Sequence, residues 1–439
     1  MQLVCCADFG STFTKTLLVS LDDAEVVAAA ENPTTIDTDV LDGLRSCQEQ
    51  LVRAEPRAAD APVLACSSAG GGLRIAVVGN EDLVTAEAGR RVALSSGGRV
   101  VHVGSGGLDG GRLAALRVSE PDVVLLVGGT DGGNADVLVQ SAEALRDWSG
   151  PVVVAGNAVA TDRVTAILDA GDVPNDVAAN VVPRIGVLAP ESARASIRAA
   201  FLRHVIGGKH LSASTDFVEM VTGATPDVVL TGAEVLADLA GDVAVVDVGG
   251  ATTDVHSVVD IDPEDAELSR QVVAPTRVTR TVEADLGMHW SRTTTVGQGV
   301  DAGLLTADDA GVDDLRLAEV AVAIALRRHA GRQRVALGPD GRVVERTGKD
   351  LREIGLLVGS GGVLRHAPSA DAERVLRAST GADVEGGWLL PRSPRLVVDR
   401  AYVLAAVGLL ATSQPEVATG LLRRHLAPGP PGGTDADTA

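Results

Sequence analysis

Two short stretches of this sequence repeat one chemical arrangement, in which an apolar run ends in aspartate and is followed by glycine and hydroxyl side chains. The first is Asp8-Phe9-Gly10-Ser11-Thr12-Phe13-Thr14-Lys15, and the second is Asp247-Val248-Gly249-Gly250-Ala251-Thr252-Thr253-Asp254. Glycine at a sharp turn between strands lets backbone N–H groups approach an anion, and successive N–H groups make a concave anion site. In the first stretch Gly10, Ser11, Thr12, Thr14 and Lys15 supply amide, hydroxyl and ammonium donors. In the second, Gly249, Gly250, Thr252 and Thr253 supply amides and hydroxyls. Asp8 and Asp247 add carboxylates at the strand ends, the ligand type preferred by Mg²⁺, a hard cation that keeps much of its water shell. Either stretch alone reads equally well as an ordinary hairpin turn. Their recurrence points to ATP, with its β- and γ-phosphates held from both sides and one Mg²⁺ between Asp8 and Asp247. A third stretch, Leu357–Leu364, runs from a strand through Gly359, Ser360, Gly361 and Gly362 into a helix. Its close backbone approach suits the adenosine, the ribose or the α-phosphate.

These loops need strands to carry them. Apolar runs predict strands from Gln2 to Ala7, near Thr16–Ser20 and near Glu25–Ala30, the opening of a meander. A helix ending near Arg57, strands at Pro62–Ser67 and Leu73–Val78, and a helix around Glu81–Leu94 follow. Apolar runs near Arg99–Val103, Asp122–Val127, Pro151–Ala155 and Asp176–Val182, with helix-length spacers, then have the rhythm of βαβ units in a parallel sheet. The chain is therefore read as α/β, with residues 1–94 and 207–240 forming one domain and its connecting helix. Residues 95–206 form an inserted doubly wound layer, 241–426 a second domain, and 427–439, rich in Pro, Gly and Asp, a disordered tail. The turns Gly104–Gly107 and Gly128–Gly133 in the layer lack the full G-x-G-x-x-G context and read as tight βα turns.

Composition narrows the function classes. Acidic residues outnumber basic ones 59 to 38, a net charge of −21, so no basic stripe is available to neutralise a nucleic-acid backbone. Aromatics are 2% of the 439 residues, so the cores must be built from Val, Ala and Leu. Cys5, Cys6, Cys47 and Cys66 lack C-x-x-C spacing and read as reduced core thiols, which also excludes an iron–sulfur cluster. No leader or bilayer-length apolar run stands out, and the expected location is cytoplasmic, without membrane contact. Asp254-Val255-His256-Ser257-Val258-Val259 lacks the glycine of the corrinoid motif Asp-x-His-x-x-Gly. Cobalamin binding by this chain is therefore not expected, nor is any metal beyond nucleotide-bound Mg²⁺.

The order of the three loops resembles the actin/Hsp70/sugar-kinase ATPase superfamily, with two RNase H-like domains around a nucleotide cleft. Asp8-x-Gly10-Ser11 with Lys15 looks like its first phosphate motif, and Asp247-x-Gly249-Gly250-x-Thr252-x-Asp254 is similar to its second. The small-residue helices Thr231–Leu239 and Ala401–Ala411 fit the helices that cross at its hinge. The resemblance implies Mg²⁺-dependent phosphoanhydride hydrolysis, with Asp8, Asp247 and Asp254 as catalytic carboxylates and either Asp247 or Asp254 orienting water. A finer resemblance is to MutL-type accessory proteins of adenosylcobalamin-dependent glutamate mutase, unrelated to the mismatch-repair protein of that name. It is carried by Asp8–Lys15, Pro33–Val40, Cys66–Arg74, Val127–Asn134 and Val282–Met288. It implies a chaperone-like reactivase that uses ATP to release damaged cobalamin from the mutase, whose subunits would be the partners. A homodimer is left open. Competing readings are a small-molecule kinase, a hydantoinase/oxoprolinase-like ATP-dependent enzyme, and an actin-like filament protein. Glu283 and Asp285 are read either as lying on the adenosine side or as part of a solvated turn.

Overall fold

The computed structural model describes residues 2–206, 211–212, 214–261, 276–306, 311–338, 341–382 and 386–427. Strand β1 (Leu3–Phe9) is buried along its whole length, and β2 (Phe13–Ser20) and β3 (Glu25–Pro33) return from it as an antiparallel meander. The helix Val40–Ala54 is N-capped by Asp39, whose carboxylate accepts from the Leu41 N–H at 2.8 Å. It leads to β4 (Val63–Ser67), parallel to β1.

Strands β5 (Leu73–Val78), β6 (Gly98–Gly104), β7 (Val123–Leu126), β8 (Val152–Val154) and β9 (Asn175–Val177) then build a separate all-parallel sheet of order β6-β5-β7-β8-β9. Runs of Val and Leu with helices between them are what a sheet covered on both faces requires. The connectivity is doubly wound, with its switch point between β5 and β7. The structure moves the start of this layer. Leu73–Val78, assigned from sequence to the first domain, pairs with β6 and β7, so the sheet begins after Gly70–Gly72 and not at residue 95. Such pairing joins residues far apart in sequence, and an apolar run does not name its neighbours. β9 is also shorter than the expected Asp176–Val182. Asn180 turns the chain away by accepting from the Val182 N–H at 3.0 Å and donating to Gly129 O at 2.9 Å.

The chain then returns as β10 (Val221–Ala224), parallel to β4, completing a mixed sheet of order β10-β4-β1-β2-β3. The second half repeats the plan. Strands β11 (Val243–Val248), β12 (Thr253–Val258) and β13 (Val278–Glu283) form a meander, β14 (Arg332–Gly338) and β15 (Gly341–Thr347) a separate hairpin. Strands β16 (Leu356–Ser360) and β17 (Arg395–Val398) add parallel to β11, giving the order β13-β12-β11-β16-β17.

One apolar core lies between these two mixed sheets. Val4, Cys6, Leu17 and Val19 from the first meet Val243, Val245, Val258, Leu356 and Val358 from the second, around helices Thr225–Ala240, Val403–Leu410 and Pro415–His425. The first two helices cross backbone on backbone: a methyl on Gly408 would lie 1.9 Å from Val228 O, and one on Gly232 2.3 Å from Leu404 O. The inserted layer joins the opposite face of the first sheet through a core that includes Ala7, Phe9, Val77, Val127, Phe201 and Phe217. Because strand side chains alternate, Asp8 and Lys15 share the face of Val4, Cys6, Leu17 and Val19. Asp247, Asp254 and Ser360 likewise share the face of Val243, Val245, Val258, Leu356 and Val358. Both sets of polar residues therefore sit at the same rim of the inter-sheet core.

All four cysteines are buried and unpaired, and burial pushes the Cys5 thiol up to about 12 and that of Cys47 to about 11. Among the described residues no helix is long and apolar enough to cross a membrane. The expected tail at 427–439 lies, Ala427 excepted, outside the described residues.

Candidate functional site

The two aspartate–glycine loops are closed in the same way. The Gly10 N–H donates to Phe13 O at 3.1 Å, and the Gly249 N–H donates to Thr252 O at 2.9 Å. Their carbonyls are tied back by neighbouring segments. Thr34 donates its hydroxyl to Gly10 O and its N–H to Thr12 O, each at 2.8 Å. In the second loop the N–H groups of Met288, His289 and Trp290 and the Ser291 hydroxyl hold the carbonyls of Gly249, Gly250 and Ala251. Among the described residues, no protein group accepts from the N–H groups of Ser11, Thr12, Gly250, Ala251 or Thr252. The loops also meet: a methyl on Gly250 would lie 3.1 Å from the Thr12 hydroxyl, whose buried oxygen has no partner in the fold. The tips of the two loops thus meet, and each carries N–H groups left unpaired by the fold.

The carboxylates below the loops are held unequally. Asp8 is buried, accepting from the Thr225 hydroxyl at 2.5 Å and the Tyr402 hydroxyl at 2.9 Å, with the Cys66 thiol 3.6 Å away. Lys15, its cross-strand partner, lies 3.9 Å from Asp8 and 3.8 Å from the centre of the Tyr402 ring, a cation–π contact. At the second hairpin the partner of Asp247 is another acid, Asp254. Burial pushes the Asp247 carboxyl up to about 6; Lys15 and a hydrogen bond from Ser360 oppose that rise, and the charges of Asp254 and Asp8 add to it. Burial raises Asp254 too, against the attraction of Arg280, whose guanidinium is 3.1 Å away. Lys15 and Arg280 supply counter-charge to this pair, and among the described residues no group of three or more His, Cys, Asp or Glu side chains is gathered to hold a metal.

The third loop lies beside Asp247, since β16 places Ser360 next to it in register. Gly361 has φ +100°, and a methyl there would lie 2.1 Å from Val248 O, so only glycine lets this loop nest against the second hairpin. Ser360 is therefore nearer the carboxylates than an adenosine role implies, leaving Gly361 and Gly362 to flank it. Thr14 departs from expectation. Strand alternation turns it away from Lys15, and its hydroxyl meets Thr34 at 3.2 Å beneath the helix Val40–Ala54. Thr253 occupies the equivalent place on β12 and is likewise fully buried on the face opposite Asp254. Glu283 and Asp285 bind Arg328 at 2.6 and 2.8 Å. His256 is buried inside the second sheet, which lowers its pKa well below the usual range.

Sequence reasoning missed Tyr402, Thr225 and Arg280. Tyr402 is the only tyrosine in the chain, adjoining the small-residue helix, and that rarity was the available signal. Thr225 directly precedes a proline at a helix start, a position that reads as structural.

Two five-stranded sheets of one topology, each carrying an aspartate–glycine hairpin, form the paired-sheet α/β fold that the resemblance to the actin, Hsp70 and sugar-kinase superfamily implied. Within that class the MutL protein family model matches residues 4–312 and 304–426, and the chain belongs to the MutL protein family. Protein MutL of Clostridium tetanomorphum is 34% identical over 461 residues, spanning 97% of this chain and 99% of that one. Solved structures are far more remote. An acetone carboxylase in nucleotide-free form has 14% identity, covering 93% of this chain and 70% of its own, at TM-score 0.42. A Plasmodium falciparum glycerol kinase with ADP has 10% identity, covering 96% and 92%, at TM-score 0.34.

Proposed function

We propose that this chain binds ATP with Mg²⁺ in the crevice between the two hairpins, hydrolyses it, and thereby acts as a chaperone-like reactivating partner of an adenosylcobalamin-dependent glutamate mutase. The observation that carries the nucleotide reading is the approach of Thr12 and Gly250, which brings two sets of unpaired loop amides to one place. In this reading the N–H groups of Ser11, Thr12, Gly250, Ala251 and Thr252 bind phosphate oxygens, and Lys15 lies between Asp8 and Asp247 to balance charge. Asp8, fixed by Thr225 and Tyr402, and Asp247 would hold the hydrated cation, whose charge would offset that developing during phosphoryl transfer. Either Asp247 or Asp254 would orient the attacking water, Asp254 being held in place by Arg280 at 3.1 Å. Gly361 and Gly362 would border the nucleoside, whereas Gly359 packs on the other face of β16 against Leu364 and Leu376.

The mutase role rests on family membership, and the cytoplasm is the compartment it requires. The inserted layer, which stands outside both ATPase-type sheets, is the proposed surface for mutase recognition. The deciding experiment measures ATP hydrolysis by the full chain, with and without glutamate mutase inactivated by damaged cobalamin, and scores recovered mutase activity. Mutase-dependent turnover and recovery are expected, and D8A or D247A should abolish both. Turnover that survives in both variants removes this site assignment. Phosphorylation or ring opening of a small metabolite in the absence of mutase would replace the reactivase reading with a kinase or oxoprolinase-like one.

A further inference from the structure

Arg280, on β13, is 3% exposed, and no part of the proposed hydrolysis uses it. Burying a guanidinium costs several kcal/mol unless its donors are matched, so its partners are informative. One terminal nitrogen donates to Asp254 at 3.1 Å. The other donates to Leu94 O at 3.2 Å and Gly98 O at 3.1 Å. These carbonyls belong to the inserted layer: Leu94 lies in the last turn of the helix Glu87–Ser95, and Gly98 opens β6. A cation is favoured at a helix C-terminus, where unpaired carbonyls concentrate negative charge. On the other side, Asp254 accepts from the Thr252 hydroxyl at 3.4 Å. A continuous polar path therefore runs from the second phosphate loop through Thr252, Asp254 and Arg280 to the base of the layer.

The receiving turn has little room to absorb a displacement. Gly97 has φ +77°, and a methyl there would lie 2.7 Å from Asp227, while one on Gly98 would lie 2.2 Å from Ile75 of β5. Asp227 is itself tied to the layer by Arg198 at 2.5 Å, two residues after Thr225, which holds Asp8. The turn is wedged between the connecting helix and the central strands of the layer. Motion of Arg280 must therefore pass into β6 and cannot dissipate in a loose loop.

We propose that Arg280 is a positioning residue for Asp254 and the link through which occupancy of the second phosphate loop is transmitted to the inserted layer. This inference rests on the nucleotide reading of the crevice and adds its direction of communication. Nucleotide on the loop reorients Thr252 and Asp254, Arg280 follows, and the carbonyls of Leu94 and Gly98 carry the change into the parallel sheet.

Hydrogen–deuterium exchange of the full chain, with and without a non-hydrolysable ATP analogue and Mg²⁺, tests this. In the wild type, exchange should slow both at residues 10–15 and 249–254 and, by about tenfold, at residues 96–104. In R280K, which keeps the charge but not the fork, and in D254N, which breaks the path from its other end, the loops should still respond. The layer response should fall below about twofold. R280K should also lower kcat about tenfold with KM for ATP nearly unchanged, a split that loss of layer packing alone does not produce. A full layer response in both variants overturns the inference and leaves the nucleotide site standing. Loops that fail to respond in the wild type overturn the nucleotide reading and this inference together.

Discussion

Asp8 and Asp247 occupy matching places on their hairpins, but the residues across from them carry opposite charge. Lys15 faces Asp8 and Asp254 faces Asp247. Burial, with the charge of Asp254 adding to it, gives Asp247 a folded pKa of about 6, above the ordinary 3.8. A raised carboxyl contributes stability that is complete below its unfolded value and is lost as pH rises through its folded value, here between 3.8 and about 6. The free protein should therefore gain from removal of this charge at neutral pH. D247N is expected to raise the Tm of the nucleotide-free chain by about 2–4 °C while abolishing Mg²⁺-dependent turnover, checked by calorimetry and a phosphate-release assay. An unchanged or lower Tm would mean the acidic pair is already compensated. His329 gives the opposite dependence. It is buried, hydrogen-bonded to Ser257 at 2.8 Å and to Thr281 at 3.0 Å, and its pKa is lowered from 6.5 to about 3. Its contribution is complete above 6.5 and lost as pH falls toward 3, so urea midpoints should drop over that interval. H329Q, which cannot titrate, should flatten the slope.

At the scale of elements, the contact that joins the halves is the crossing of Thr225–Ala240 with Val403–Leu410. With Gly232 and Gly408 at the crossing, backbone meets backbone and no side chain intervenes. G408A must push a methyl against Val228 O, and a loss of about 1–3 kcal/mol is expected in equilibrium unfolding. A neutral effect would show that the helices separate easily. These helices were readable from their small residues, as were both aspartate–glycine hairpins, because strand and turn residues are contiguous there. Three features were not. The membership of β5 in the inserted sheet depends on partners far along the chain. The withdrawal of Thr14 depends on which face of β2 looks toward the core, and that was decided by tertiary packing. Tyr402 reaches Asp8 from 394 positions away, as the last residue before its helix, in left-handed backbone of φ +57°. Local sequence shows where donors cluster and leaves unstated which distant groups arrive to hold them.

For the whole molecule, the repetition of one sheet plan explains how a chain so poor in aromatics builds a buried site. Each sheet contributes one face to a shared aliphatic core, and its polar edge falls at the same rim. The layer joins the first sheet through the core in which Val77, Val127 and Phe201 pack with Ala7 and Phe9, and the second through Arg280. It is thus in touch with both walls of the crevice. The opposed charges of Lys15 and Asp254 have one more consequence. Two copies of one scaffold facing each other would by themselves present a palindromic berth, which an elongated guest could occupy head-first or tail-first. With an ammonium on one wall and a carboxylate at the matching spot on the other, these orientations become inequivalent, and the berth acquires a heading.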